Sequence, residues 1–119
     1  MGLEALKELI KKIQDTKDEQ TFELTEKDIS VINELYEENV RPLEVAIINK
    51  QFLIASKLIR EGGAEITDQA FQDINLIIGR TETFLKYDES LLKNCRNFRA
   101  FMQSAKAKDA KGQKKNLSS

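Results

Sequence analysis

The chain has 119 residues, 40% apolar and 33% charged, with no His, no Trp and one Cys, Cys95, which is the length and balance of one globular domain with its own core. Without His there is no Ser/His/Asp or Cys/His nucleophile pair, a lone Cys builds neither an intramolecular disulfide nor a four-ligand zinc site, and the five glycines fit no phosphate-loop spacing, so no enzyme activity and no cofactor are expected. No apolar run approaches the roughly 18 residues that span a bilayer, and Glu4 and Glu8 stand where a secretory signal needs an uninterrupted apolar segment, so a cytoplasmic protein is expected.

Periodicity predicts helices throughout. Leu3, Leu6, Leu9, Ile10 and Ile13 make one apolar stripe of a first helix over residues 2–17. Thr25 with Asp28 three residues on is a capping-box pattern, and Ile29, Ile32, Leu35 and Tyr36 extend a second helix to Glu38 or Asn39. Pro42 suits the first turn of a third, where its missing N–H leaves no bond unmade. That helix, over residues 43–49, is apolar nearly all round through Leu43, Val45, Ala46, Ile47 and Ile48, so it must be covered on more than one side. Phe52, Leu53, Ile54, Ala55, Leu58 and Ile59 form a fourth, stopped by Gly62 and Gly63. Thr67 caps a fifth, carrying Phe71, Ile74, Ile77 and Ile78 and meeting Gly79. Asp88 caps or breaks the remainder, in which Leu91, Leu92, Cys95, Phe98, Phe101 and Met102 recur at helical spacing and read as core.

The net charge of −1 hides an uneven distribution. Residues 1–40 hold five Lys and Arg against eleven Asp and Glu, and residues 93–119 hold eight against one. Helical carboxylate pairs such as Glu4 with Glu8 or Glu34 with Glu38 read as solvated faces, since no apolar pocket accompanies them to raise a carboxyl pKa. Beyond Ala105 the chain is Lys, Ala, Gly and Ser with little else, giving a domain over residues 1–105 and a basic, disordered tail over 106–119. The tail's lysines, Lys106, Lys108, Lys111, Lys114 and Lys115, supply the alternative function of a nucleic-acid or anionic-surface binder. No aromatic is interleaved with them to stack on bases, which makes nucleic acid the weaker reading.

Residues 41–67 resemble an ankyrin repeat, with Pro42, Leu43, Ala46, Ile54, Leu58, Ile59, Gly63, Ala64 and Ile66 matching in type and order. Residues 28–40 look like the outer helix and turn of a preceding repeat, and residues 77–87 like the middle of a degenerate following one. Arg41 and Glu44 stand where the family has Thr and His, Lys50 where it has a Gly between the helices, and Gly62 is one residue extra. The resemblance implies an all-α fold: a short ankyrin-like stack of antiparallel helix pairs with N- and C-terminal capping helices. It also implies a non-enzymatic protein-interaction module whose partner meets the turn tip at Glu38, Asn39 and Arg41 and the inner-helix surface at Val45, Ile48 and Asn49, where apolar Val45 and Ile48 imply either a protein interface or packing against a capping helix. Arg41 would anchor a carboxylate. So short a stack leaves apolar surface for another protein or a second copy, as in a homodimer, to cover. In size and make-up the chain is similar in kind to the small regulatory proteins of intracellular bacterial pathogens that inhibit paired ubiquitin deamidase and transglutaminase effectors, which implies a regulator that blocks a larger enzyme in the cytoplasm or, once secreted, in a host cell's cytosol.

Overall fold

The computed structural model describes residues 2–36, 40–83 and 88–117, with side chains described for residues 3–36, 40–83 and 88–108. The fold is all-α. Its helices are α1 (Gly2–Asp15), α2 (Glu26–Ser30), α3 (Pro42–Ile48), α4 (Phe52–Arg60), α5 (Asp68–Thr83) and α6 (Glu89–Leu117), with a 3-10 turn at Glu19–Thr21. Among the described residues the only β pairing is one isolated bridge between Tyr36 and Val40. No helix among the described residues is long and apolar enough to cross a membrane.

The caps fall where local chemistry puts them. Thr25 and Asp28 form a reciprocal capping box, in which each side chain accepts the other's backbone N–H, at 3.2 and 3.0 Å. Thr67 accepts the N–H of Ala70 at 3.1 Å, and Asp88 accepts that of Leu91 at 3.0 Å. Pro42 occupies the first turn of α3. Leu6, Leu9, Ile10 and Ile13 of α1 are buried, while Leu3, on the same expected stripe, is exposed.

Three helices differ from their sequence patterns. The second helix, expected to reach residue 38 or 39, ends at Ser30. Asn33 supplies the reason: its side chain accepts the Glu65 N–H at 2.7 Å and reaches the Gly63 carbonyl at 3.4 Å. These contacts with a segment some thirty residues away compete with the next helical turn, and β-branched Val31 and Ile32 already resist it. The expected stripe reverses in part, with Val31 and Ile32 buried but Ile29 and Leu35 exposed. Helix α5, expected to stop at Gly79, runs through it to Thr83, with Thr81 and Thr83 back-bonding to the carbonyls of Ile77 and Gly79. Helix α6 carries helical backbone past Ala105, the expected start of the tail, to Leu117.

Helix α3 sits at the centre, packed on α1, α4 and α5, and α6 closes over α4 and α5. The packing makes two rows, α1–α3–α5 and α4–α6, around a core through Leu9, Ile13, Ile47, Ile54, Leu58, Ile74 and Met102. Ala46 and Ala55 are fully buried, the small residues that let α3 and α4 approach neighbouring elements. Phe98 and Met102 are buried as core, with Phe98 stacked on Phe52 at 5.3 Å between ring centroids.

The two glycines after α4 do different work. Gly62 is buried, and a Cβ there would stand 2.8 Å from the Leu58 carbonyl oxygen. Gly63 turns the chain at φ 70°. Between α3 and α4 the same left-handed conformation, φ 61°, falls on Lys50. An L-residue pays roughly 1–2 kcal/mol there, and Gly's extra chain entropy returns about 0.5–1. Lys50→Gly is therefore expected to raise the unfolding free energy by about 0.5–1 kcal/mol, read as a higher urea midpoint at unchanged slope.

Candidate interaction groove

The inner row ends in a groove of 580 Å³ bounded by the C-terminal end of α3, one face of α5 and the first turn of α6. Its apolar lining is Ile48, Leu76, Ile77 and Leu91. Ile48 and Leu76 are each 53% exposed, so apolar area at the rim has been left to water. Helical spacing explains Leu76. It lies two positions after fully buried Ile74, on the side of α5 away from the core stripe of Ala70, Ile74 and Ile78. Lys50 and Arg80 bring cations to the groove, Asp73 and Asp88 carboxylates.

Of the residues expected to meet a partner, Ile48 lines this groove and Asn49 beside it is exposed. Val45 takes the packing alternative rather than the open inner surface: it is only 7% exposed, because α3 is covered by α1, α4 and α5 at once. Arg41 is half-buried, with its Nε enclosed and unpartnered and its guanidinium 3.9 Å from Glu65. It is the backbone cap of α3 rather than a free anchor. Glu38 and Asn39 lie outside the described residues. Sequence reading missed Leu76, Lys50 and Arg80; a leucine off its helix's core stripe was the available signal for the first.

Behind the groove, buried Glu44 ties one turn to the next. Its Oε2 accepts the Arg41 N–H at 2.9 Å and its Oε1 faces the Thr67 hydroxyl at 3.5 Å. A carboxylate thus links the start of α3 to the segment that caps α5. Burial pushes the Glu44 carboxyl above the usual range, with the charge of Asp73 adding to it, against the bond and charge of Arg41. Burial likewise raises Asp73, whose Oδ1 accepts the Gln69 amide at 2.9 Å while its Oδ2 is buried and unpartnered. Asp28 goes the other way. Burial would raise it, but the Lys12 ammonium at 2.7 Å and the bonds from Thr25 outweigh burial and lower it.

These shifts act oppositely on stability. The depressed Asp28 contributes stability above the ordinary Asp range that is lost as pH falls through its folded-state pKa. The raised Glu44 opposes folding while ionised, and that opposition disappears as pH falls below the ordinary Glu range. Glu44→Gln keeps an acceptor for Arg41 and gains a donor toward Thr67, so it is expected to be at least as stable as the parent at neutral pH. Its advantage should vanish by about pH 4, measured as the difference between the two unfolding free energies across the acid range.

The Cys95 thiol is fully buried, and burial raises its pKa, countered in part by the charge of Lys50; this keeps it protonated and a poor nucleophile. Among the described residues, no three His, Cys, Asp or Glu side chains are grouped to hold a metal ion. Lys106 lies 3.5 Å from Asp68 and over the Phe71 ring, so it already has partners within the domain. Comparison with protein-family models, curated proteins and solved structures finds no match. The groove and its neighbours therefore stand on their own chemistry.

Proposed function

We propose that the protein is a non-enzymatic interaction module, ankyrin-like in its helix pairs, that binds a larger protein and blocks it. The observation that carries this reading is the pair of large apolar side chains, Ile48 and Leu76, half exposed on the rim of one groove, since apolar area concentrated beside a polar rim is what protein interfaces use. The row α1–α3–α5 is consistent with the stacked inner helices that the ankyrin resemblance implies. Cys95, buried and protonated, suits a reducing cytosol. The enzymes to try first are the ubiquitin deamidase and transglutaminase effectors that the resemblance names.

Mixing the purified protein with each such enzyme and following ubiquitin modification against molar ratio tests the reading. A one-to-one complex with turnover lost at equivalence is expected; undiminished turnover within a stable complex removes the blocking role. Raising salt from about 50 to 200 mM should change such a complex little, whereas binding through the basic C-terminal lysines would weaken steeply. A second apolar hollow, between Leu3, Leu6, Val31 and Leu35 at the α1–α2 end, favours self-association through that end. Sedimentation of the free protein tests this, with Leu35→Asp expected to yield the monomer.

A further inference from the structure

We propose that the furrow between α4 and α6 binds an extended acidic segment of another protein, its carboxylates on Lys50, Arg60 and Lys108 and its backbone on the amides of Asn94 and Asn97. The site is separate from the Ile48 and Leu76 rim, so the loss of either reading leaves the other standing.

Two hollows, of 400 and 610 Å³, share Arg60 and Phe101 and run together along the seam of α4 with α6. Charge along it is one-sided. Lys50, Arg60 and Lys108 line it against a single carboxylate, Glu19, and none of these cations forms an ion pair among the described residues. Glu61 follows Arg60 as the C-cap of α4 but is not on the lining. Arg60 lies over the Phe101 ring, 4.8 Å from its centroid, which holds a guanidinium where the hollows meet. Its donors can take a carboxylate through two parallel bonds. The lining therefore favours an anion.

Hydrogen-bonding groups select the form of that anion. Asn94 and Asn97 are exposed on the furrow, three residues apart on α6. Their amides are unengaged among the described residues, where the side-chain bonds of α6 are made by Arg96, Arg99 and Lys106. A primary amide both donates and accepts, as a peptide group does. A helical ligand has paired its own backbone groups and would leave these amides unmatched, whereas an extended one presents N–H and C=O along its length. A phosphodiester only accepts. Bases find no open ring to stack on, since Phe98 is buried against Phe52 and Phe101 lies under Arg60. Leu53 and Ile59, partly exposed on the lining, give apolar rests to alternate side chains of a strand. From Asn94 to Lys108 the helix rises about 21 Å, which an extended segment covers in about six residues.

The probes are fluorescein-labelled peptides of about eight residues in which Glu and Val alternate, the same with Gln or Lys for Glu, the Glu peptide N-methylated along its backbone, and an oligothymidylate of similar length. The Glu peptide is expected to bind with a dissociation constant of about 10–100 μM and every comparator at least about tenfold more weakly. Arg60→Glu with Lys108→Glu should turn the preference to the Lys peptide, and Asn94→Ala with Asn97→Ala should weaken the Glu peptide about tenfold. All four positions are exposed, and unchanged urea midpoints would show that the fold survives. Leu76→Asp, in the other groove, should leave the titration as it is. The proposal is overturned by absence of Glu-peptide binding at millimolar concentration, by undiminished binding of the N-methylated peptide or of the asparagine variant, by a loss in Leu76→Asp as large as theirs, or by an oligothymidylate that binds as tightly as the Glu peptide.

Discussion

Ile47→Ala is expected to lower the unfolding free energy by about 3 kcal/mol, whereas Ile48→Ala, one residue on, should change it by less than about 0.5 kcal/mol. The two isoleucines end the same short helix. Ile47 is fully buried where α3 meets its three neighbours, and Ile48 is 53% exposed at the groove. Truncating Ile47 removes apolar contacts and leaves a space that three packed helices cannot close together, because each is also held by the others. Against a total of about 5–15 kcal/mol for a domain of this size, the loss should pull the thermal midpoint down by roughly 10–15 °C. Urea unfolding at unchanged slope is the cleaner measurement. Ile48→Ala should show its effect in the enzyme-blocking assay instead. Similar stability losses for both variants would mean that α3 is not covered on three sides and that the groove floor is part of the core.

The contrast marks what the sequence made legible. Signals confined to a few residues were sufficient: the Thr25 capping box, Pro42 in the first turn of α3, Thr67 and Asp88 as caps, and the all-round apolar character of residues 43–48 that requires a central helix. Signals that depend on distant segments were not. Helix α2 stops because Asn33 bonds to Gly63 and Glu65, a contact that no local window contains. Val45 and Ile48 are alike in sequence, and only the position of α1 and α5 decides that one is covered and the other is not. The groove is a still longer-range product, joining Lys50 from the α3–α4 turn with Arg80 from α5 and Asp88 at the start of α6. Glu44 departs from the ankyrin pattern yet makes a link of its own, since a carboxylate with two oxygens reaches both the Arg41 N–H and the Thr67 hydroxyl.

Lys57→Met should cost about 2 kcal/mol, more than any exposed ion pair in the protein contributes. The Lys57 ammonium donates to three backbone carbonyls of one turn, those of Glu19, Gln20 and Phe22, at 3.2, 3.1 and 2.8 Å, which uses its full set of protons. Glu19 answers from the same turn: its Oε1 accepts the N–H groups of Leu53 and Ile54 at 3.1 and 3.2 Å, capping α4, whose own N-cap residue Gln51 makes no side-chain cap. Gln51 is occupied elsewhere, donating its amide to the carbonyls of Ile13 and Thr16 at the end of α1. Each of these segments thus satisfies the orphan backbone groups of another, and α1, the 3-10 turn and α4 are joined with Phe22 buried beneath. Methionine keeps the aliphatic stem of Lys57 but leaves three carbonyls to a partly buried site that water enters only in part, so most of the loss is unpaired acceptors rather than lost packing. Lys57→Arg should recover only part of it, because a planar fork does not converge on three carbonyls as an ammonium does. Faster amide hydrogen exchange confined to residues 19–22 and 53–54 would locate the effect. A loss below about 0.5 kcal/mol would mean that water replaces the ammonium at no cost. Since the acceptors are neutral carbonyls, the penalty should change little with salt, in contrast to that of separating exposed Lys27 from Glu8.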